Sequence, residues 1–348
     1  MITLDMSRET VNRTLAEFLS TQKALSHAIH PSYGRLYEEI ERVVFAGGKR
    51  LRPHLMFMGY GSYDESIAKV AAAHELLHVA LLVHDDIIDR DTIRHGQATI
   101  HQKYDIAHYA PFIDSPTDRH HFSTSAALLA GDLLIASAYE LIRQANLDAE
   151  KTQAAIHLIG TGIFEVAGGE LLDTEAPFIP EAYDPMLVYR YKTTGYSFIS
   201  PLLSGATLSG AISNEDLDRL RSCATNLGIA YQIKDDYLGV FGESAKTGKS
   251  TVSDLREGKQ TILVAEFAKR ATLAQLALFE RTFGKKYASE SELSELREAF
   301  KASGALSEAT RLGEEYTQLA TNAVNELSNT TLQKNLNDLI LLLNERLS

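Results

Sequence analysis

The sequence predicts an all-α fold, one domain spanning residues 1–348 and built as a bundle of about ten to thirteen helices. Three observations carry that prediction. Apolar residues recur three and four positions apart over long stretches, which places them on one face of a helix. Runs that alternate apolar and polar residues, the mark of a half-buried strand, are missing. Ala, Leu, Glu and Lys, all good helix formers, are abundant, against eight prolines.

Taken along the chain, the first clear helix carries Ile67, Val70, Ala71, His74, Leu77, His78, Leu81, Asp85 and Asp89 on one stripe. The same spacing recurs near 123–143, 153–173, 186–210, 216–240 and 258–283, and again through the C-terminal third. Breaks are read at His30-Pro31, Ser115-Pro116, Ile179-Pro180 and Gly242–Gly248, where Pro and Gly punctuate the pattern. None has the length of a domain linker, and no internal repeat is apparent.

The formal charge of −12, from 46 acidic and 34 basic side chains, argues against nucleic acid as a partner, which needs a basic face. A small phosphorylated ligand remains compatible with it, because a local cluster of Lys and Arg can sit inside an acidic protein. The one cysteine, Cys223, suits a buried thiol in a reducing cytoplasm. No signal-peptide pattern opens the chain, and no continuous apolar stretch of about 18 residues is present, so a transmembrane segment is not expected.

Two acidic segments carry the chemistry. His84-Asp85-Asp86-Ile87-Ile88-Asp89 closes the first apolar helix, and Asp85 and Asp89, four apart, leave the same helical face. Like charges at that spacing repel by a few tenths of a kcal/mol. Either a cation offsets the repulsion, or this is a solvated helix end. Hard oxygen ligands favour Mg2+ together with substrate phosphates. The second segment, Gln232-Ile233-Lys234-Asp235-Asp236, again ends an apolar helical run with paired aspartates. Two such endings point to two helices that face each other across a cavity and share metal ions on one diphosphate.

Basic residues accompany both. Gly47-Gly48-Lys49-Arg50-Leu51-Arg52-Pro53 is a flexible turn followed by three cations, and forked Arg donors suit an anion. Arg94 follows the first acidic segment, and Lys192, Lys249 and Lys259 follow turns containing Gly or Thr. A single lysine of this kind is ordinarily a surface residue. The group gains meaning from its place beside the acidic pairs.

These segments resemble the trans-polyprenyl diphosphate synthase family over nearly the whole chain. Gly47 to Pro53 is similar to its isopentenyl diphosphate motif. Asp85 to Asp89 is similar to its first aspartate-rich motif, Lys192-Thr193 to its Lys-Thr pair, and Gln232 to Asp236 to its second aspartate-rich motif. Gly248-Lys249 and Asp254 to Lys259 resemble the segment that closes over the diphosphate. The resemblance implies the isoprenoid synthase fold, with helices around a central active-site cavity, and a homodimer. It implies Mg2+ on Asp85, Asp89 and Asp235, with Asp86 and Asp236 as supporting acceptors. Arg94, Lys192, Lys249 and Lys259 would contact an allylic diphosphate, and Lys49, Arg52 and His78 would hold isopentenyl diphosphate. Thr193 and Gln232 would lie beside the reacting carbon.

Two positions depart from the family pattern. A tandem arginine pair is replaced by Arg94-His95, which makes His95 a weaker and pH-dependent contact for isopentenyl diphosphate. The second acidic motif ends in Gly239 where the family often has aspartate. In the family, bulky aromatics four or five residues before the first aspartate stop chain growth. Here those positions are Leu81 and Ala80, with Leu77 a turn deeper, so a product of twenty carbons or more is expected.

Other readings exist. A terpene cyclase would use Mg2+ and one aspartate-rich motif but has no need of Lys49, Arg52 and His78. A metal-dependent phosphohydrolase is suggested by His84-Asp85 with His54, His74 and His78, and leaves the second acidic helix without a role. A subunit that needs a catalytic partner would ordinarily have lost one of the motifs.

Overall fold

The computed structural model describes residues 2–179, 183–242, 255–256, 258–285 and 287–344. The chain divides into two compact units, Met1–Gly160 with Ser200–Ile212, and Thr161–Ile199 with Ser213–Ser348. Among the described residues thirteen α-helices have nine residues or more, the upper end of the expected number.

The first unit contains α1 (Leu4–Ile29), α2 (Pro31–Val44), α3 (Leu51–Tyr60), α4 (Glu65–Ile88), the short α5 (Ile100–Lys103), α6 (Pro116–Gln144), the start of α7 (Ala149–Glu175) and α9 (Ser200–Ser209). Pro31 and Pro116 mark helix starts, as expected, because proline at the first helical position loses no hydrogen bond there. Asp64 caps α4 by accepting from the amides of Ser66 and Ile67 at 2.9 and 3.2 Å. The helix is buried on nearly every side, packing on α1, α3 and α6. Helices α3 and α9 touch backbone to backbone: a Cβ on Gly59 would lie 2.3 Å from the Leu202 carbonyl, and one on Gly205 2.0 Å from that of Met56.

The acidic end of α4 runs into the only sheet among the described residues, a hairpin that the helical reading missed. Ile93 pairs with Ala98 and Arg94 with Gln97. His95 and Gly96 form its turn with φ of 51° and 73°, the pair of left-handed residues that a tight two-residue hairpin requires.

The second unit holds the rest of α7, α8 (Pro185–Val188) with a π-helical continuation Tyr189–Ile199, α10 (Asn214–Phe241), α11 (Ile262–Arg270), α12 (Leu273–Thr282), α13 (Glu290–Ala302), α14 (Ala305–Asn325) and α15 (Thr330–Asn344). Helix α10 packs on α14 and on the π segment. A buried cluster around Ile233, Ile262, Phe267, Leu296 and Phe300 forms its core. The helix expected over 258–283 is two helices, broken where Thr272 caps α12 in a reciprocal box with Gln275.

The expectation of no segment long and apolar enough to cross a membrane needs correcting. Helices α4, α6 and α7 meet that standard by length and composition, because polar residues interrupt each without lowering its mean hydropathy enough. The apolar windows of α4 and α6 are 72% and 50% buried inside the protein, that of α7 28%.

Candidate active site

Within the first unit, α4 delivers most of the predicted residues. Asp85, Asp86 and Asp89 occupy its last turn, and the Asp89 amide closes the helix on the Asp85 carbonyl at 2.8 Å. Oxygens of Asp85 and Asp89 come within 4.8 Å of each other. The hairpin returns Arg94 to this turn. Its guanidinium donates to Asp85 at 3.0 Å, to Asp91 at 3.2 Å and, through Nε, to Asp86. Burial pushes the Asp86 carboxyl up to about 7, against the lowering effect of Arg94. A set of carboxylate oxygens balanced by one guanidinium fits a hard divalent cation better than a soft metal.

A cavity lies beside this turn. It is lined by Gly47, Gly48, Arg50, Glu75, His78, Asp86, Arg94 and His95, among others. His78 is held well below the ordinary imidazole value, first by burial and then by the charges of Arg52, Arg94, Arg50 and His95 around it. The predicted anion-binding residues His78, Arg52, Arg94 and His95 are therefore brought together. Lys49 is exposed on the loop before α3.

Arg50, read in sequence as one of three cations beside the Gly-Gly turn, is spent on structure. It is 4% exposed and donates to Glu75 Oε1 at 2.7 Å, Asn12 Oδ1 at 2.9 Å and the Val44 carbonyl at 2.7 Å. It adopts a left-handed φ of 53°, and Gly48, at φ 100°, supplies a turn that residues with a Cβ rarely adopt. Three of the four histidines that suggested a phosphohydrolase have separate partners. His54 bonds Ser7 Oγ at 2.9 Å, His74 bonds Ser204 Oγ at 3.1 Å and His84 bonds the Leu128 carbonyl at 3.3 Å.

Leu77 and Ala80 are fully buried and Leu81 partly so on α4. Tyr139 on α6 has its hydroxyl 3.7 Å from where a Gly160 side chain would begin.

In the second unit a polar chain organises the second acidic segment. Thr193 Oγ1 donates to Gln232 Oε1 at 2.7 Å, and Gln232 Nε2 donates to Asp236 Oδ1 at 2.9 Å. The Tyr189 hydroxyl donates to Asp236 Oδ2 and accepts from the Ile262 amide at 2.8 Å. Asp236 is thus a buried, fully engaged acceptor, whereas Asp235 is exposed. Lys192 lies on the π segment, a geometry frequent at functional sites. It pairs with Glu170 Oε2 at 3.0 Å and Asp173 Oδ2 at 2.6 Å. Gly169 permits this, since a Cβ there would sit 2.2 Å from the Lys192 amide nitrogen.

Glu170, Asp173 and Tyr189 escaped the sequence reading. The Glu170-to-Asp173 spacing, one helical turn on the same face, was the available signal. Lys259 is described and partly buried; Lys249 lies outside the described residues. Burial pushes the Cys223 thiol up to about 12, in keeping with the inert role expected.

A sequence profile of the polyprenyl synthetase family matches residues 34–300. A geranylgeranyl diphosphate synthase of Sulfolobus acidocaldarius is 33% identical over 300 residues, 84% of this chain and 85% of that protein. A geranylfarnesyl diphosphate synthase of Aeropyrum pernix is 31% identical over 288 residues, 80% of this chain and 83% of the relative. The geranylgeranyl pyrophosphate synthase from Corynebacterium glutamicum, solved with isoprenyl diphosphate and magnesium, is similar with a TM-score of 0.90 at 29% identity, covering 99% of each chain. That likeness bears out the all-helical isoprenoid synthase fold.

Proposed function

The chain belongs to the polyprenyl synthetase family and is a prenyltransferase that elongates prenyl chains; on that premise we propose a specific reaction. It is the Mg2+-dependent head-to-tail condensation of isopentenyl diphosphate with an allylic diphosphate, giving an all-trans prenyl diphosphate of twenty carbons or longer. One observation carries the reading: helix α4 presents the Asp85–Asp89 pair and, through His78, lines a cavity shared with Arg94 and His95.

In this reading Asp85, Asp89 and Asp235 hold Mg2+, which when bound neutralises charge on the departing diphosphate. Asp86 and Asp236 orient their neighbours through Arg94 and through Gln232 and Tyr189. Arg94, Lys192, Lys249 and Lys259 bind the allylic diphosphate and stabilise the negative charge it gains on leaving. Lys49, Arg52, His78 and His95 hold isopentenyl diphosphate by its phosphates. Its double bond attacks the allylic carbon as the diphosphate leaves, and the released diphosphate takes the proton. Thr193 and Gln232 stand beside the reacting carbon, where their dipoles favour the cation and their mutual bond orients both side chains.

The floor formed by Leu77, Ala80 and Leu81 has no aromatic ring, which supports growth beyond fifteen carbons, as do relatives named for twenty- and twenty-five-carbon products. Exposed Leu128 and Leu129 on α6 and Ile156 on α7 support a homodimer. The buried thiol supports a cytoplasmic setting, and the burial of α4 supports its reading as a core helix without a transmembrane role.

The test is to incubate the purified chain with Mg2+, labelled isopentenyl diphosphate and, separately, ten-, fifteen- and twenty-carbon allylic primers, then to size the products. Elongation abolished by EDTA supports the reading. Primer consumed without elongation points to a cyclase. Intact primer from folded protein points to a subunit that needs a partner.

A further inference from the structure

Lys234 stands directly before Asp235-Asp236 and feels the charge of Asp235, yet the hydrogen bonds of its ammonium go to another helix. It is buried at 8% exposure, and its ammonium donates to the carbonyls of Leu343 and, at 2.6 Å, Asn344. Those oxygens end α15, where helical carbonyls have no partner in their own helix and the dipole is negative. A buried ammonium there satisfies both needs at once.

The other end of α15 is fastened to the same helix. Ser328, two residues before α15, donates its amide to Asp216 Oδ2 at 3.2 Å and its hydroxyl to the same carboxylate. Asp216 belongs to the first turn of α10, is 2% exposed and is steadied by Arg219 at 2.9 Å. From Asp216 to Lys234 is about 27 Å of helix, and from Ser328 to Asn344 about 24 Å, at 1.5 Å per residue. The two helices therefore run parallel with clamps at matching intervals. Between the clamps Leu332, Leu336, Leu339 and Ile340 are buried at helical spacing.

We propose that Lys234 is a positioning residue for the second acidic segment: it ties that turn of α10 to the end of α15, so that the C-terminal helix helps hold Asp235 and Asp236 in place. Tyr189 fixes Asp236 from the π segment while accepting from the Ile262 amide at the start of α11, and Gln232, one turn earlier on α10, fixes it with Thr193 of the π segment behind it. Lys234 fixes the same turn from the chain's C-terminal helix. The kinetic consequence rests on Asp235 being a metal ligand; the structural consequence does not.

The experiment compares wild type with Lys234→Met, Lys234→Arg, a chain ending at Leu342, and the double variant of Lys234→Met in that shortened chain. Hydrogen exchange is read on the metal-free proteins, and kcat, both KM values and the Mg2+ requirement on the active enzyme. Lys234→Met is expected to speed amide exchange about tenfold in 232–241 as well as in α15, as for loss of a charge-assisted bond. It is expected to raise the half-saturating Mg2+ about fivefold or more while KM for isopentenyl diphosphate stays within about twofold. Lys234→Arg should recover most of both effects. The shortened chain should reproduce them, and the double variant should add less than about twofold, because both changes remove one interaction.

Faster exchange confined to α15, or a Mg2+ requirement unchanged in an active Lys234→Met enzyme, overturns the proposal. So do multiplicative effects in the double variant. If the wild type elongates no primer, the functional reading fails instead, and exchange in 232–241 alone decides the proposal.

Discussion

Arg94 donates through Nη2 to Asp85 Oδ2 at 3.0 Å, so the residue expected to meet the allylic diphosphate also neutralises an expected metal ligand. The same guanidinium pairs with Asp86 and Asp91. Replacing it by Gln should lower kcat/KM for the allylic substrate by about 10²- to 10³-fold, as for loss of one preorganised donor to developing charge. It should also cost about 1–2 kcal/mol of stability in the absence of metal, because Asp86, whose carboxyl burial already lifts to about 7, loses its partner and is left to take up a proton. Mg2+ should then raise the melting temperature of Arg94→Gln more than that of wild type. Thermal scans with and without Mg2+ check this, and equal increments would contradict it.

Tyr189 joins Asp236 to the start of α11, accepting from the Ile262 amide while donating to the carboxylate. Tyr189→Phe keeps the ring and removes both bonds. The loss should be about 2–4 kcal/mol, since a buried amide and a buried carboxylate each lose a partner. Urea denaturation measures it, and a loss under about 0.5 kcal/mol would mean that the hydroxyl is not the link described.

Acid should destabilise the chain through two histidines. Burial pushes His54 down to about 4 and, with help from Arg52, pushes His74 down to about 3. In the unfolded chain both titrate near about 6.5. The folded state therefore keeps them neutral while the unfolded state takes up protons. Their contribution is fully present above about pH 6.5 and is lost as pH falls towards the folded values, each costing about 2 kcal/mol by pH 5. Urea midpoints at pH 7 and pH 5 check this, with His54→Gln expected to show the shallower dependence. A parallel dependence in the variant would contradict it.

Ala80→Phe should shorten the product towards fifteen carbons. Ala80 is fully buried on α4, so the ring must either enter the substrate channel or crowd its neighbours at a cost of about 1–3 kcal/mol. Sizing the dephosphorylated products tells the two apart. An unaltered chain length means that Ala80 does not line the channel.

What was legible in the sequence was what is local. Asp85 and Asp89 are related by one helical turn, and Pro31 and Pro116 announce their helix starts, so period and local chemistry were sufficient. The structural role of Arg50 was not legible because it depends on Glu75, a residue 25 positions away in a different helix. Tyr189 and Asp236 are 47 residues apart, and nothing in either segment alone announces the bond. Glu170 and Asp173 carry a helical spacing, but their pairing with Lys192 depends on its approach over Gly169, about twenty residues away in sequence. The turn at His95-Gly96 was visible as a His-Gly pair, yet two-residue strands leave no alternation to detect.

The central claim is that the acidic end of α4 holds the cation that lets the allylic diphosphate leave. The direct measurement is single-turnover release of diphosphate from a labelled allylic substrate by wild type and Asp85→Ala across a Mg2+ titration, with binding of isopentenyl diphosphate measured in parallel. The account predicts a rate at least about 10³-fold lower in Asp85→Ala, with the dissociation constant for isopentenyl diphosphate within about threefold of wild type. A release rate within tenfold of wild type at the same Mg2+ would contradict it.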